Sequence, residues 1–210
     1  MDMPCSGCGT AVKFDHDGSW ASVCTDCYGL VRRSGERLGA GMRTMPIVQD
    51  LSPMRVGTIG KHDGREFRIT GRIRVEGDNG YRNYWSLKGR DLPYRWLVHA
   101  YGNYALMQKG DRALETKAIR GIKPTATLKM EQDHAFIIEM LDSAFRFAWE
   151  GEIMEALSVP FAIEVEAGHQ PDAKLLVHMN EAKQVEHLIG VTVEFADLHF
   201  ENAPQLGQWT

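Results

Sequence analysis

Four cysteines, arranged as two C-x-x-C pairs, constrain the fold of this chain more than any other feature. Cys5 and Cys8 form one pair, and Cys24 and Cys27 form the other after 15 intervening residues. Zn²⁺ binds four ligands in a tetrahedron and accepts thiolate sulfur, so this spacing is typical of a structural zinc site. Because four cysteines fill every ligand position, we expect structural rather than catalytic Zn²⁺.

The residues between the two pairs predict a zinc ribbon over residues 1–35. Two short β-like runs, TAVKF and WASV, flank the polar turn DHDG at residues 15–18, which indicates a hairpin with a cysteine pair at each end. We expect Gly9 and Gly29 to relieve crowding of the backbone beside the metal. A ribbon this small buries little apolar surface, so the metal should supply most of its folding free energy. Residues 36–50 are predicted to be a linker.

The remaining residues, 51–210, indicate an antiparallel β domain. Residues 66–76, EFRITGRIRVE, place apolar residues and glycine on one face and polar residues on the other, the pattern of a half-buried strand. Further strand-like runs, each bounded by turn residues, lie at 81–88, 94–100, 104–108, 134–141, 144–151, 160–167, 174–180 and 191–195. The sequence therefore predicts a mainly β fold, with an antiparallel β-sandwich or partly open barrel behind the ribbon.

Three local features of this domain rest on shorter signals. Asp142 and Ser143 predict a hairpin turn between two of the strands. Residues 182–190, AKQVEHLIG, suit a helix and a strand equally. The segments 51–123 and 124–210 carry similar strand patterns and could be two related halves.

Charge is distributed unevenly along the chain. Residues 51–123 contain 15 Lys and Arg against 7 Asp and Glu, a net charge of +8, whereas residues 124–210 contain 4 against 15, a net charge of −11. The basic segment could meet an anionic partner, or the two segments could face each other. No apolar run reaches the roughly 18 residues of a membrane-spanning helix. The first residues, MDMPCSGC, lack the features of a secretory signal, so we expect a cytoplasmic protein with reduced thiols.

The sequence shows none of the common catalytic motifs. It lacks a nucleophile elbow, a zinc-protease motif and a dinucleotide fingerprint, and GTIGKH at 57–62 lacks the spacing of a phosphate loop. Basic and aromatic residues interleave on the predicted strands and form a candidate anion- or partner-binding surface, namely Arg68, Arg72, Arg74, Arg82, Trp85 and Arg95. The alternative is a sheet with aromatic pairs on its core face and arginines on its solvent face.

Several motifs occur in order along the chain. The first half carries Val56-Gly57, Gly60, Asp63-Gly64, Phe67, Gly71-Arg72, Trp85, Trp96-Leu97, Gly102 and Tyr104. The second half carries WEGEI at residues 149–153, Gly190 and Asp197-Leu198. This order resembles the bacterial domain of unknown function 4178 over nearly the whole length. Members of that family often carry an N-terminal C-x-x-C zinc ribbon, as this chain does.

The resemblance implies an accessory role rather than a known activity. Members tend to be encoded beside phage-shock-type membrane-stress proteins and polyamine-synthesis enzymes, so it implies a place in such a system or at the inner membrane through a partner. Our first hypothesis is a non-enzymatic adaptor that binds a protein partner. A second is a nucleic-acid-binding protein that uses the basic and aromatic β surface. A third is an enzyme or binder that acts on a polyamine, attracted by Glu164, Glu166, Glu194 and Asp197.

Overall fold

The computed structural model describes residues 2–36, 46–47, 52–111, 114, 119, 121–130, 135–169 and 171–202. The cysteine-containing segment holds four strands: β1 (Asp2–Pro4), β2 (Ala11–Lys13), β3 (Ala21–Val23) and β4 (Leu30–Arg32). The body holds β5 (Ile59–His62), β6 (Arg65–Gly77), β7 (Gly80–Lys88), β8 (Trp96–Ala100), β9 (Asn103–Lys109), β10 (Thr127–Lys129), β11 (Ala135–Ile153), β12 (Ile163–His169), β13 (Ala173–Met179) and β14 (Val185–Val193). A 3₁₀ helix, Phe195–Leu198, follows the last strand. Within the described ranges, no helix has the length and apolar character needed to cross a bilayer.

The long strands of the body close into a barrel of eight antiparallel strands. Their order is β6-β7-β8-β9-β14-β13-β12-β11, and β11 pairs with β6 to complete the ring. Two four-stranded meanders make up the ring, β6 to β9 from residues 51–123 and β11 to β14 from residues 124–210. The prediction of a mainly β fold is therefore confirmed, and the structure shows a closed barrel where the sequence suggested a sandwich or a partly open barrel.

Successive side chains of a barrel strand pack on opposite faces of the wall. In β8, Trp96 and Val98 belong to the inner core, while Leu97 belongs to an outer apolar cluster. In β13, Leu176 points into the same inner core, while Leu175 belongs to a second outer cluster. Apolar residues on both faces mean that the barrel wall is a middle layer of the protein.

Segments outside the ring cover the two outer clusters. Met54, Leu198 and Phe200 pack over the cluster on β6 to β9. Ile119 and Leu128 pack over the cluster on β11 to β13. These contacts remove apolar surface of the wall from water, which stabilises the fold by about 25 cal/mol per Å² buried.

The structure contradicts one sequence-based prediction for the body and decides another. The prediction of a hairpin turn at Asp142 and Ser143 is wrong, because β11 continues through both residues as one strand of 19 residues. Its first half pairs with β12 and its second half with β6, so the chain changes neighbours without reversing direction. Asp142 instead accepts a hydrogen bond from the amide of Asn79 at 3.3 Å. The ambiguous stretch 182–190 begins in a turn and enters strand β14 at Val185.

Two glycines allow β6 and β11 to approach closely where the ring closes. Gly71 lies opposite Gly151 in the register of the two strands. A Cβ atom on Gly71 would lie 2.5 Å from the carbonyl oxygen of Glu152, and one on Gly151 would lie 2.3 Å from that of Thr70. Gly151 also has a φ of 71°, a left-handed value that favours glycine.

We expect Gly151→Ala to destabilise the barrel more than Gly102→Ala. Both glycines have a left-handed φ, but a Cβ on Gly102 meets nothing within 4 Å. Gly102→Ala should lower the free energy of unfolding by about 1 kcal/mol through backbone strain alone. Gly151→Ala should lower it by roughly 2 kcal/mol more, because the methyl group also collides with backbone. Urea unfolding of both variants measures the difference, and equal losses would contradict the role assigned to Gly151.

Candidate functional site

The structure brings the four predicted cysteines together. The Sγ atoms of Cys5 and Cys27 are 3.6 Å apart, and those of Cys8 and Cys24 are 3.5 Å apart. All four sulfurs lie within 4.8 Å of one another. A tetrahedral ion with metal–sulfur bonds of about 2.3 Å needs sulfur–sulfur separations of about 3.8 Å. The cluster can therefore bind one metal ion.

Each C-x-x-C pair lies in the loop of its own tight hairpin. Strands β1 and β2 bracket the first pair, and β3 and β4 bracket the second. In the first loop the amide of Gly9 donates to the carbonyl of Cys5 at 2.8 Å. In the second loop the amide of Tyr28 donates to the carbonyl of Cys24 at 2.9 Å. In each loop the donating amide belongs to the fourth residue after the first cysteine, so the two loops fold alike.

One expectation for the ribbon, the central hairpin, needs correction. Strands β2 and β3 do not pair with each other around residues 15–18, because β3 already has β4 on one side and β11 on the other. Gly9 in the first loop has a left-handed φ, at 81°, which favours glycine. In the second loop Tyr28 adopts the left-handed conformation, with a φ of 54°.

The pKa values of the thiols differ with their surroundings. Hydrogen bonds with Thr10 lower the pKa of Cys8 to about 6. Burial raises the pKa of Cys24 and brings that of Cys27 to about 12. A bound cation favours the thiolate form of each ligand, and protons leave when it binds. The cluster thus combines one thiol that ionises readily with two that need the charge of a cation.

The ribbon is attached to the barrel through the end of β11. Strand β3 pairs with the last two residues of β11. The buried carboxylate of Glu152 accepts hydrogen bonds from the amides of Asp15 at 2.7 Å and His16 at 3.2 Å. The indole N–H of Trp149 donates to the carbonyl of Tyr28 at 2.8 Å, inside the second cysteine loop. These contacts hold the cysteine loops against the barrel wall.

The residues predicted to form an anion- or partner-binding surface do not lie on one surface. Arg72 and Trp85 are buried on the outer side of the wall, with the guanidinium 4.4 Å from the ring centre. Arg72 also forms an ion pair with Glu150 at 2.8 Å. Arg74 is half-buried, and its guanidinium lies 4.6 Å from the ring centre of Tyr81. The prediction is wrong for Arg72 and Trp85, because neither side chain is accessible to a partner.

The other three residues of that set occupy different places. Arg82 points into the barrel and is 6% exposed, so it is also excluded from a surface. Arg95 donates hydrogen bonds to the carbonyl oxygens of Gly89 at 3.5 Å and Leu92 at 3.3 Å, which shapes the loop before β8. Arg68 is exposed, as predicted.

A network of charged and polar side chains crosses the barrel interior. The guanidinium of Arg82 on β7 binds the carboxylates of Glu164, at 2.5 Å, and Glu166 on β12. The hydroxyl of Tyr84 donates to Glu164, and Nε2 of His178 lies 3.1 Å from the same carboxylate. The alternation that places these residues on one face of β7, β12 and β13 is visible in the sequence, but it does not show that this face is the interior.

The electrostatics of the network favour an ionised Glu164. Burial alone would raise its pKa, but the charge of Arg82 and the hydrogen bond with His178 outweigh burial and lower the pKa to about 2. Burial raises the pKa of Tyr84, which therefore stays protonated as a donor. The network joins β7, β12 and β13 across the inner core.

A cavity of about 270 Å³ lies beside this network. Charged residues line one part of it and small or uncharged residues line the rest; they are Arg82, Glu139, Glu166 and Lys174, and Val98, Ala100, Asn103, Tyr104, Ala105, Leu176 and Thr192. Lys174 forms ion pairs with both glutamates that line the cavity, Glu139 and Glu166. Arg82 and Lys174 form ion pairs with Glu164 and Glu166, the first two acidic residues of the polyamine hypothesis, which stays a prediction. Glu194 and Asp197, the other two acidic residues of that hypothesis, are exposed at the 3₁₀ helix.

Metal removal should unfold the ribbon and leave the barrel folded. The ribbon core consists of Cys5, Val12, Phe14, Cys24 and Val31, so two of the five residues of this cluster are candidate metal ligands. We expect a chelator, or Cys24→Ser, to reduce hydrogen-exchange protection of residues 2–36 by at least about 100-fold, about 2.8 kcal/mol. Protection of the barrel strands should persist. Thr25→Ala, an exposed change in the same loop, is the control, and unchanged ribbon protection after chelation would contradict the prediction.

Acid should weaken the fold through Glu164. Its folded pKa lies below the ordinary value of 4.5, at about 2, so its ionised form stabilises the fold above pH 4.5. This contribution, roughly 3 kcal/mol, should be lost as the pH falls from about 5 to 2. Glu164→Gln should flatten the dependence of unfolding free energy on pH in that range. Glu181→Gln, an exposed change, should leave it as in the wild type, and the same slope in all three proteins would contradict the assignment.

Comparison of the chain with protein-family models, with curated proteins and with solved structures gave no match.

Proposed function

We propose that this chain is a zinc-stabilised, non-enzymatic adaptor that binds a protein partner between its ribbon and its barrel. The observation that carries the proposal is the set of four thiols arranged around one point and fastened to the barrel by β11. Four thiolate ligands fill a tetrahedral shell and leave no position for a substrate, which is the pattern of a structural ion.

Zinc is the metal that this donor set suits best. Thiolate sulfur favours Zn²⁺ among the divalent ions that prefer four-coordinate sites, and two C-x-x-C loops are its common structural frame. Natively purified protein should contain one zinc per chain by elemental analysis. Stoichiometric iron in its place, or no metal, would contradict this assignment.

The candidate partner site is a groove of about 770 Å³ at the junction of ribbon and barrel. Tyr28 and Val56 line it and are 37% and 39% exposed, respectively. Trp149 and Glu150 of β11 contribute to the wall on the barrel side, and Lys13 contributes on the ribbon side. Grooves at the junction of two units, with apolar walls and a few charged groups, are preferred binding sites.

The cellular setting of the adaptor remains a prediction from the sequence. Four cysteines that bind a metal suit a reducing compartment, which supports a cytoplasmic location. The resemblance to domain of unknown function 4178 supports a membrane-stress or polyamine-linked system, including a position at the inner membrane through the partner.

Tyr28→Asn should weaken partner binding without disturbing the fold. Asparagine tolerates the left-handed backbone of this position and keeps the carbonyl that Trp149 binds, so only the exposed ring is lost. Tyr101→Asn is a matched control, because Tyr101 is also exposed and also has a left-handed φ, at 53°. Quantitative mass spectrometry of tagged protein purified from its native cells should show a partner retained by the wild type and by Tyr101→Asn.

Tyr28→Asn should recover at least about tenfold less of that partner, about 1.4 kcal/mol of binding free energy. Both variants must first show the zinc content and the circular dichroism of the wild type. The adaptor function would be overturned if the wild type, Tyr28→Asn and Tyr101→Asn recovered every protein equally. Turnover of a small molecule by the pure chain would also overturn it.

A further inference from the structure

A second groove, of about 700 Å³, lies where β6 begins and β7 ends. Nine described residues line it: His16, Gly64, Arg65, Glu66, Arg68, Lys88, Gly89, Arg90 and Asp91. Four of these side chains are basic and exposed, whereas two are acidic. The groove shares only His16 with the groove between ribbon and barrel, so it is independent of the proposed partner site.

The basic side chains of this groove are not neutralised within the described part of the chain. Arg65, Arg68, Lys88 and Arg90 form no ion pair there, although the groove also contains Glu66. Arg68 makes one hydrogen bond, to the carbonyl of a neighbouring turn at 3.3 Å. Most charged side chains of the barrel interior, by contrast, are paired. The groove therefore presents an excess of positive charge to solvent.

Two of these cations face each other directly. Arg68 on β6 and Lys88 on β7 are partners in the strand register, so their side chains project from the same face of the sheet. Like charges at such positions destabilise a sheet, whereas opposite charges stabilise it. An anion bound between the two side chains would remove this repulsion.

Backbone contacts order the loop that carries Arg90. The turn at Gly89 packs tightly on β6, because a Cβ there would lie 2.7 Å from the carbonyl oxygen of Glu66. Arg95 donates to the carbonyls of Gly89 and Leu92, which fixes the loop that carries Arg90. The array of charges thus sits on ordered strands and a braced loop.

We propose that this groove binds the phosphate backbone of a nucleic acid, without reading its sequence. Protein–protein interfaces have an apolar or aromatic core, and none of the nine lining residues is apolar or aromatic apart from His16 and the glycines. Binding to a bilayer surface would also call for apolar side chains that insert. Interfaces with nucleic acid are more polar and more basic, and Lys and Arg contacts to phosphate dominate their affinity. His16 is the one ring among the nine lining residues, and stacking on successive bases needs several, so the contact is with phosphates.

The test is the salt dependence of binding to a labelled 20-nucleotide single strand and to the matching duplex, measured by fluorescence anisotropy with the full chain. Arg68→Gln/Lys88→Gln removes the facing pair. Lys129→Gln/Arg146→Gln removes the same net charge from exposed positions outside the groove. The slope of log affinity against log salt should be about −0.7 per neutralised phosphate for the single strand and about −0.9 for the duplex.

We expect the groove variant to lose about 1.4 from the slope with the single strand, or about 1.8 with the duplex, and the control variant to keep the wild-type slope. The strand form that shows this loss is the ligand. Equal losses in both variants would assign the effect to net charge and overturn the proposal. The same measurement is made with vesicles of anionic phospholipid. The proposal is also overturned if the groove variant loses binding to these vesicles but not to nucleic acid, or if the chain binds no nucleic acid at 50 mM salt. If circular dichroism shows that the first variant does not fold, Arg65→Gln/Arg90→Gln makes the same test at the start of β6 and in the loop after β7.

Discussion

The close approach of β6 and β11 at Gly71 and Gly151 is the contact on which the rest of the structure depends. It closes the ring of eight strands, and the next residue along β11 is Glu152, whose carboxylate binds two amides of the ribbon. Barrel closure and ribbon attachment therefore occupy adjacent positions of one strand. A change that separates β6 from β11 would also displace the anchor of the cysteine loops.

The barrel interior combines an apolar core with a few buried charges. Removing ions from water costs several kcal/mol each, and the attraction between Arg82 and its two glutamates offsets this cost only in good geometry. Apolar side chains of equal size would fill the same space with less penalty. We interpret the network as a specificity device, because Arg82 finds its partners only when β7 faces β12 across the interior. The pH dependence expected for Glu164 is a consequence of that arrangement.

Local patterns were enough to predict the strands and the cysteine cluster, since period-2 alternation and C-x-x-C spacing act over a few residues. Which strands meet depends on contacts far apart in the sequence, so ring closure and the shared use of β11 could not be derived. The prediction of a turn at Asp142 and Ser143 failed for this reason. One half of β11 pairs with β12 and the other half with β6, and this pairing keeps the strand extended. Alternation also separates two faces without showing which is inside, and for this reason Arg82 was assigned to a surface.

Closure of the ring has a consequence for how the molecule behaves among copies of itself. Every long strand of the barrel has a neighbour on both sides, and in the described part of the chain the strands with one neighbour are β1, β2, β4, β5 and β10, of three or four residues each. Unpaired strand edges are templates on which proteins associate into fibrils or exchange strands. Ring closure therefore removes most of the long edge that these strands would present as an open sheet, and with it most of the template for such association.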